Sequence, residues 1–433
     1  MTTLTVIEFA FLVWTTTGQA ASADNERSSP REPRVYRAWL DSPGGELPFQ
    51  LEISEATGGS PRAWVLNGQE RIEVAQVSRD DELLTLSFPH YDSRIEATPR
   101  SRGPDAAGDS WSAMDGTWTK SARAGGTITM PFHCEAGGGA RFKPMTSQGP
   151  TGPRPEPVAG RWSVRSGDAG DPAVGIFREM RDGSVEGTFL TETGDYRFLS
   201  GSYEGGLLRL SCFDGSHAFL FHATMQSDGA MKGDFWSGTS WHETWTARRD
   251  EQAHLADGFK LTSWNDRADF ASMKFRDLEG AETSLASAVA GGRGVVIEVF
   301  GSWCPNCHDA SSFLAEMDRR YRDKGLRIVG LAFEYTGQVD RDAKQVRRFA
   351  ERYHVEYPLF LAGKADKAEA SKALPMLDAI RAFPTLVFMR ADGTIRGVYS
   401  GFTGPAAADE HAKLRKELES MIEDVIAPGK TSP

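Results

Sequence analysis

The chain has 433 residues, 39% hydrophobic and 25% charged, with a formal net charge of −11, a composition suited to two or more globular domains. An acidic chain without a long Lys/Arg run argues against nucleic acid or an anionic membrane surface as a partner, and no apolar run approaches the ~20 residues of a membrane-spanning helix. Its four cysteines, Cys134, Cys212, Cys304 and Cys307, are too few for a disulfide scaffold, and two of them share one C-x-x-C, a usage that points to catalysis rather than stapling.

From the N-terminus, residues 4–14 are mostly apolar and are followed by the small residues of Gly18-Gln19-Ala20-Ala21-Ser22-Ala23. Residues 1–23 are therefore read as a secretory signal, although Glu8 interrupts the apolar stretch and no Lys or Arg precedes it. A loose tail on a cytoplasmic protein is the alternative. No Cys follows the stretch, so a lipid-anchored N-terminus is not expected.

Two β-rich modules are predicted, 34–143 and 161–250, joined by a linker at 144–160 that carries Pro144, Pro150, Pro153, Pro155 and Pro157. Short alternating runs at 82–88, 128–132, 183–190 and 207–212 are broken by Gly, Asp and Ser turns. The modules are weakly alike. Leu83-Leu84-Thr85-Leu86-Ser87 resembles Leu207-Leu208-Arg209-Leu210-Ser211; strand-like runs at 94–97 and 218–223 follow, and then Gly116-Thr117-Trp118 and Gly233-Asp234-Phe235-Trp236. This predicts a duplicated β-meander forming two small barrels or sandwiches. Cys134 and Cys212 fall at non-equivalent places in the two copies and read as small buried hydrophobes, or as a pair in an oxidising compartment. His217, His222 and His242 stand among aromatics and read as satisfied sheet residues.

After a polar joint at 251–258, strands begin to alternate with helices through 259–427. Buried strands are predicted at 294–300 and 326–333, a further strand at 357–361, and helices at 304–324, 342–353, 366–374 and 406–426. A hairpin joins 385–390 to 395–400 across Ala391-Asp392-Gly393-Thr394. This order predicts a three-layer α/β domain.

The strongest chemical signal is Phe300-Gly301-Ser302-Trp303-Cys304-Pro305-Asn306-Cys307, between a buried strand and a helix. A cysteine at a helix N-terminus meets unpaired N–H groups and the positive end of the dipole, which lower a thiol pKa from ~8.5. Such a thiolate attacks a disulfide, and a second thiol one turn on resolves the mixed disulfide. Pro305 fits the first helical turn, where its missing N–H has no partner. A structural zinc site needs four ligands and no second Cys pair exists, so no metal and no cofactor beyond a Cys304–Cys307 redox disulfide is expected. Glu298, six residues before Cys304, is a carboxyl on a predicted central strand, where burial raises its pKa; a solvent-facing position at a sheet edge is the alternative. His308 is a candidate modulator of the Cys304 thiol when protonated, or a solvated helix residue. Glu334 at a strand end lines the same cleft or is solvated, and the solvated reading is preferred.

Trp303-Cys304-Pro305-Asn306-Cys307-His308-Asp309, Phe383-Pro384-Thr385, Gly330-Leu331-Ala332-Phe333-Glu334 and Gly401-Phe402-Thr403-Gly404-Pro405 together resemble the thioredoxin superfamily, in particular its TlpA/ResA-like thiol–disulfide oxidoreductases. The resemblance covers about 265–427 and is silent on 1–250. It implies a thioredoxin-like fold, Cys304 as nucleophile and Cys307 as resolving thiol. Pro384 would be a cis-proline facing the disulfide, flanked by Phe383 and Thr385, with Trp303 and Pro305 completing the substrate-binding surface, and Glu298 would be the base for Cys307. It further implies protein disulfides as substrates, with apocytochrome c thiols among the candidates, a membrane thiol relay as electron donor, and a periplasmic location. A peroxiredoxin-like peroxidase shares the fold but fits the Trp-Cys-x-x-Cys poorly. A third reading makes the β modules a binding protein with an accessory redox domain, which an aromatic-lined cavity would favour.

Overall fold

The computed structural model describes residues 33–54, 60–80, 82–103, 110–122, 125–145, 156–265 and 270–428. The signal reading (1–23) and most of the linker (146–155) fall outside these residues.

Nine antiparallel strands between Arg34 and Ala136 form one sheet in which chain neighbours pair except the fourth and fifth, Glu70–Glu73 and Gln76–Arg79, which are its two edges, and the last, Thr127–Ala136, returns to the first, Arg34–Ser42. The alternation that makes these strands is plain in Leu84–Phe88, where Leu84, Leu86 and Phe88 are buried and the residues between them are not. In a second set of nine, between Gly160 and Arg249, the third strand, Ser184–Thr191, pairs with both the two-residue fourth, Gly194–Asp195, and the fifth, Leu199–Glu204. Trp241–Arg249 pairs with Gly160–Ser166, and Asp171–Glu179 pairs with Ser184–Thr191, which closes the ring. The three segment pairs aligned in the sequence fall on the sixth, seventh and eighth strands of their sets.

Both interiors are filled by side chains. In the second barrel Phe221 stacks on Phe235 with ring centroids 4.3 Å apart, and Phe189 meets Trp245 at 5.1 Å. These aromatic rings pack on one another. Cys134 and Cys212 are free thiols buried in separate cores, and burial pushes the Cys134 thiol up to about 12. Phe213, Ala218 and Leu220 of the second barrel join the core of the first. The half-buried Arg141 guanidinium ties the two barrels, donating to Ser211 Oγ at 2.9 Å, Leu66 O at 3.1 Å and Asn67 Oδ1 at 2.8 Å.

The C-terminal domain is built from β1 (Lys274–Asp277), β2 (Glu282–Ser284), α1 (Leu285–Ala288), β3 (Gly294–Phe300), α2 (Pro305–Tyr321), β4 (Leu326–Glu334), α3 (Val339–Tyr353), β5 (Leu359–Lys364), α4 (Lys367–Ala373), β6 (Thr385–Arg390), β7 (Ile395–Ser400) and α5 (Ala408–Ile426). The sheet order is β2-β1-β5-β4-β3-β6-β7. β3 is central, parallel to β4 and antiparallel to β6, and all seven of its residues are buried, which is why it reads as an apolar run. α2 turns Cys307, Ala310, Phe313, Leu314, Met317 and Tyr321 inward at helical spacing. Gly325, at φ 100°, closes the turn that follows. The β1–β2 hairpin and α1 were not anticipated, because these short segments are polar and carry no hydrophobic period. The joint at 251–258 is not a free polar tether: Ala253 is buried and Leu255 packs beside it, between the second barrel and Ala407.

Candidate active site

The end of β3, the start of α2 and the turn before β6 bring the redox residues together. Cys304 is the N-cap of α2, with Pro305 opening the helix. Both thiols are free, so this is the reduced dithiol. Cys304 is 8% exposed and Cys307 fully buried. The Cys304 thiol is held below its ordinary range, first by the Cys307 S–H that donates to it and then by the backbone N–H groups of Cys307 and Asn306, against opposing burial. Cys307 is pushed well above its ordinary range by burial and by that same bond to Cys304.

The Phe383–Pro384 bond is cis, and the Phe383 carbonyl lies 3.4 Å from Cys304 Sγ. Trp303 stacks on Tyr335 at 5.5 Å and meets Phe383 edge-on at 5.6 Å, while its indole N–H donates to Phe333 O at 2.8 Å. Trp303, Pro305, Phe383 and Pro384 are thus grouped around Cys304. Thr385 is different: its side chain is fully buried and its hydroxyl donates to Ala382 O at 2.9 Å. It braces the turn, which corrects the reading of Thr385 as a substrate contact.

Glu298, on β3, is fully buried and within electrostatic reach of Cys307. Oε1 accepts from Ser311 Oγ at 2.5 Å and Oε2 from the Tyr357 hydroxyl at 2.8 Å. Burial raises this carboxyl to about 7 although both donors favour its charged form. Its charge also helps keep the Cys307 thiol protonated. Ser311, one turn beyond Cys307 on α2, and Tyr357, just before β5, were not singled out in the sequence; the helical spacing from Cys307 was the available signal for Ser311.

Two expectations are overturned. His308 is neither solvated nor a cation. It is buried with its ring 4.5 Å from Tyr91 of the first barrel, nearly parallel to it. Nε2–H donates to Ser302 O at 2.6 Å and Nδ1 accepts from the Tyr353 hydroxyl at 2.8 Å. Burial, with His90 adding to it, holds His308 well below its ordinary pKa, so it does not supply a positive charge to Cys304 at neutral pH. Glu334 is also buried, accepting from Ser302 N at 2.7 Å and Ser302 Oγ at 2.8 Å. His308 and Glu334 together hold the residue two before Cys304.

Burial raises Glu334 to about 7 against the two Ser302 bonds, while an unfolded glutamate titrates near ~4.3. The folded state therefore binds the proton more tightly. The stability this confers is present below the unfolded value and is lost as pH rises through about 7. Glu334→Gln is expected to gain on the wild type by roughly 3 kcal/mol in urea unfolding between about pH 5 and pH 8. A pH-independent difference would show that the carboxyl is already ionised at low pH.

With this geometry in view, the Redoxin family profile matches residues 265–416. The C-terminal part of the chain carries a Redoxin domain. Its relatives include the thiol–disulfide oxidoreductase ResA of Halalkalibacterium halodurans, 25% identical over 32% of this chain and 71% of the relative, and the thioredoxin-like protein YneN of Bacillus subtilis, 25% identical over 34% and 73%. A secreted Mycobacterium tuberculosis disulfide oxidoreductase homologous to Escherichia coli DsbE aligns at 20% identity and a TM-score of 0.28, over 36% of this chain and 99% of that one. The Redoxin domain has a thioredoxin-like fold and is of the thiol–disulfide oxidoreductase kind. Among the described residues no helix is long and apolar enough to cross a membrane.

Proposed function

We propose that this protein reduces disulfide bonds of protein substrates outside the cytoplasm. The observation that carries the reading is the division of labour between two thiols one turn apart: Cys304 acidified at a helix N-cap, Cys307 buried and kept protonated beside Glu298. The Cys304 thiolate attacks one sulfur of the substrate disulfide and expels the other as a thiolate, leaving a mixed disulfide. Cys307 then passes its proton to Glu298 and attacks Cys304 Sγ. This releases the second substrate thiolate and closes the Cys304–Cys307 disulfide, so two electrons have moved from the dithiol to the substrate. An external dithiol donor, a membrane thiol relay in the extracytoplasmic setting, returns the pair to its reduced form. Trp303, Pro305, Phe383 and Pro384 are the surface over which the substrate chain lies.

Alkylation of the reduced native protein with a small reagent, read by peptide mass spectrometry, is expected to label Cys304 first and to leave Cys307, Cys134 and Cys212 unmodified until the protein unfolds. Preferential labelling of Cys307 would overturn the assignment of nucleophile.

A further inference from the structure

The motif and the helix that carries it are not bare: the barrels lie against them at two places, and a lysine of the first barrel comes within electrostatic reach of Cys304. Residues 191–197 of the second barrel run along the motif. Gly194 forms a parallel bridge with Phe402, Asn306 Nδ2 donates to Thr193 O at 3.5 Å, and Gly404 N donates to Asp195 Oδ2 at 2.6 Å. Only glycine serves at 194, since at φ 145° a Cβ would stand 1.9 Å from Asn306 Nδ2. From the first barrel, the turn Pro89–Tyr91 seats on α2 and α3. Tyr91 stacks on His308, Gln345 Nε2 donates to Pro89 O at 3.0 Å and His90 O at 2.8 Å, and Arg341 pairs with Asp92 at 2.6 Å. Lys120 of the first barrel donates to Ser216 O of the second at 2.9 Å, and its ammonium is within electrostatic reach of Cys304.

Arg197 joins all three domains. It is buried, sits at φ 62° in the left-handed region, and its backbone N–H is held by Asp195 Oδ1 at 2.9 Å. Its guanidinium meets Glu70 of the first barrel at 3.3 Å, Asp214 of the second at 3.7 Å and Asp309 of α2, two residues beyond Cys307. A bulky residue held at positive φ and paired with three carboxylates from three domains is an arrangement for fixing their mutual positions.

We propose that the barrels are the specificity-determining part of this redox site. They close over the substrate side of the Cys304–Cys307 motif, Arg197 holds the closed arrangement as a positioning residue, and a disulfide on a bulky carrier reaches Cys304 only when the cover lifts. The barrels would then serve neither as a separate binding protein nor as passive anchors. The inference rests on Cys304 being the nucleophile, and the following test keeps the two claims apart.

The reduced full-length protein is alkylated with N-ethylmaleimide and, separately, with a poly(ethylene glycol) maleimide, and the rate at Cys304 is followed by mass. If the motif is open no more than a tenth of the time, the bulky reagent is slowed about tenfold or more relative to the small one. Arg197→Gln, checked for folding by circular dichroism, should bring that ratio toward one while leaving the N-ethylmaleimide rate nearly unchanged. Gln345→Ala, which unseats the first barrel without touching the ion cluster, should shift it in the same direction and serves where Arg197→Gln does not fold. Insulin reduction should accelerate in both variants, with reduction of a small aromatic disulfide unchanged. A wild-type ratio near one, or a ratio that neither variant moves, refutes the cover. N-ethylmaleimide reacting at Cys307 instead refutes the nucleophile, whatever the size ratio.

Discussion

Cys304→Ser is expected to lower dithiol-dependent disulfide reduction by ~10³-fold or more, and Cys307→Ser to complete the first half-reaction and stop there. The two outcomes differ because the thiols stand in opposite environments. Cys304 carries the acidified sulfur against the Phe383 carbonyl, and Cys307 lies beneath it with no exposure. A serine hydroxyl at 304 titrates far too high to be ionised by the same N–H groups, so attack is lost. With Cys304 intact and Cys307 absent, the mixed disulfide forms and has no internal thiol to break it. Neither remaining cysteine can substitute, since Cys134 and Cys212 are buried in barrel cores with raised pKa values. Insulin turbidity measures the first effect. Non-reducing electrophoresis and mass spectrometry measure the second, as a covalent adduct that dithiothreitol removes. Multiple turnover by Cys307→Ser would assign resolution to a second substrate thiol and remove Cys307 from the cycle.

Glu298→Gln should slow resolution of the mixed disulfide by at least ~10-fold, within the ~10²–10⁴ range of a positioned general base, and leave the first attack by Cys304 nearly unchanged. The carboxyl is fully buried, is held by Ser311 and Tyr357, and titrates near neutrality, which is where a base must lie to take a proton and give it up again. Only its ionised form accepts the Cys307 proton, so the wild-type resolution rate should rise with pH through about 7, and the glutamine variant should lose that limb. The same raised pKa makes ionised Glu298 a stability cost that appears as pH rises through about 7. The variant should therefore match or exceed the wild type in urea above that pH, which separates a slow enzyme from a damaged one. Single-turnover mixing resolves the two chemical steps. Resolution at the wild-type rate across about pH 6–9 would send the proton to water and leave Glu298 a structural residue.

The redox centre was legible in the chain because its signals are local. Trp303, Cys304, Pro305 and Cys307 lie within five consecutive positions, β3 is an unbroken apolar run, and α2 repeats its apolar residues at helical spacing. Phe383 and Pro384 are distant, and there the resemblance to known relatives did what spacing could not. Glu298 could be anticipated from its strand: a carboxyl in the middle of an apolar run is buried if the run is central.

Misjudged residues share a different property. His308 and Glu334 are polar side chains on amphipathic or terminal segments, where the local pattern allows solvent. They are buried because Ser302 lies 32 residues before Glu334 and Tyr353 lies 45 after His308, with Tyr91 from another domain closing over the ring. Thr385 was placed among substrate contacts by its position beside Pro384, and the direction of its hydroxyl toward Ala382 O decides otherwise.

In the barrels, alternation marks the strands and the aligned segments mark equivalent strands, because strand periodicity is a property of a few neighbouring residues. Where the barrels sit is not written locally at all. Arg197 meets Asp309 across 112 positions and Glu70 across 127, and Asp195 meets Gly404 across 209. No window of sequence holds both partners of such a pair. Local chemistry therefore marked out the reactive thiols and the strand that carries their base, whereas burial, the protonation of His308 and Glu334, and access to Cys304 are sums over neighbours that only the folded chain brings together.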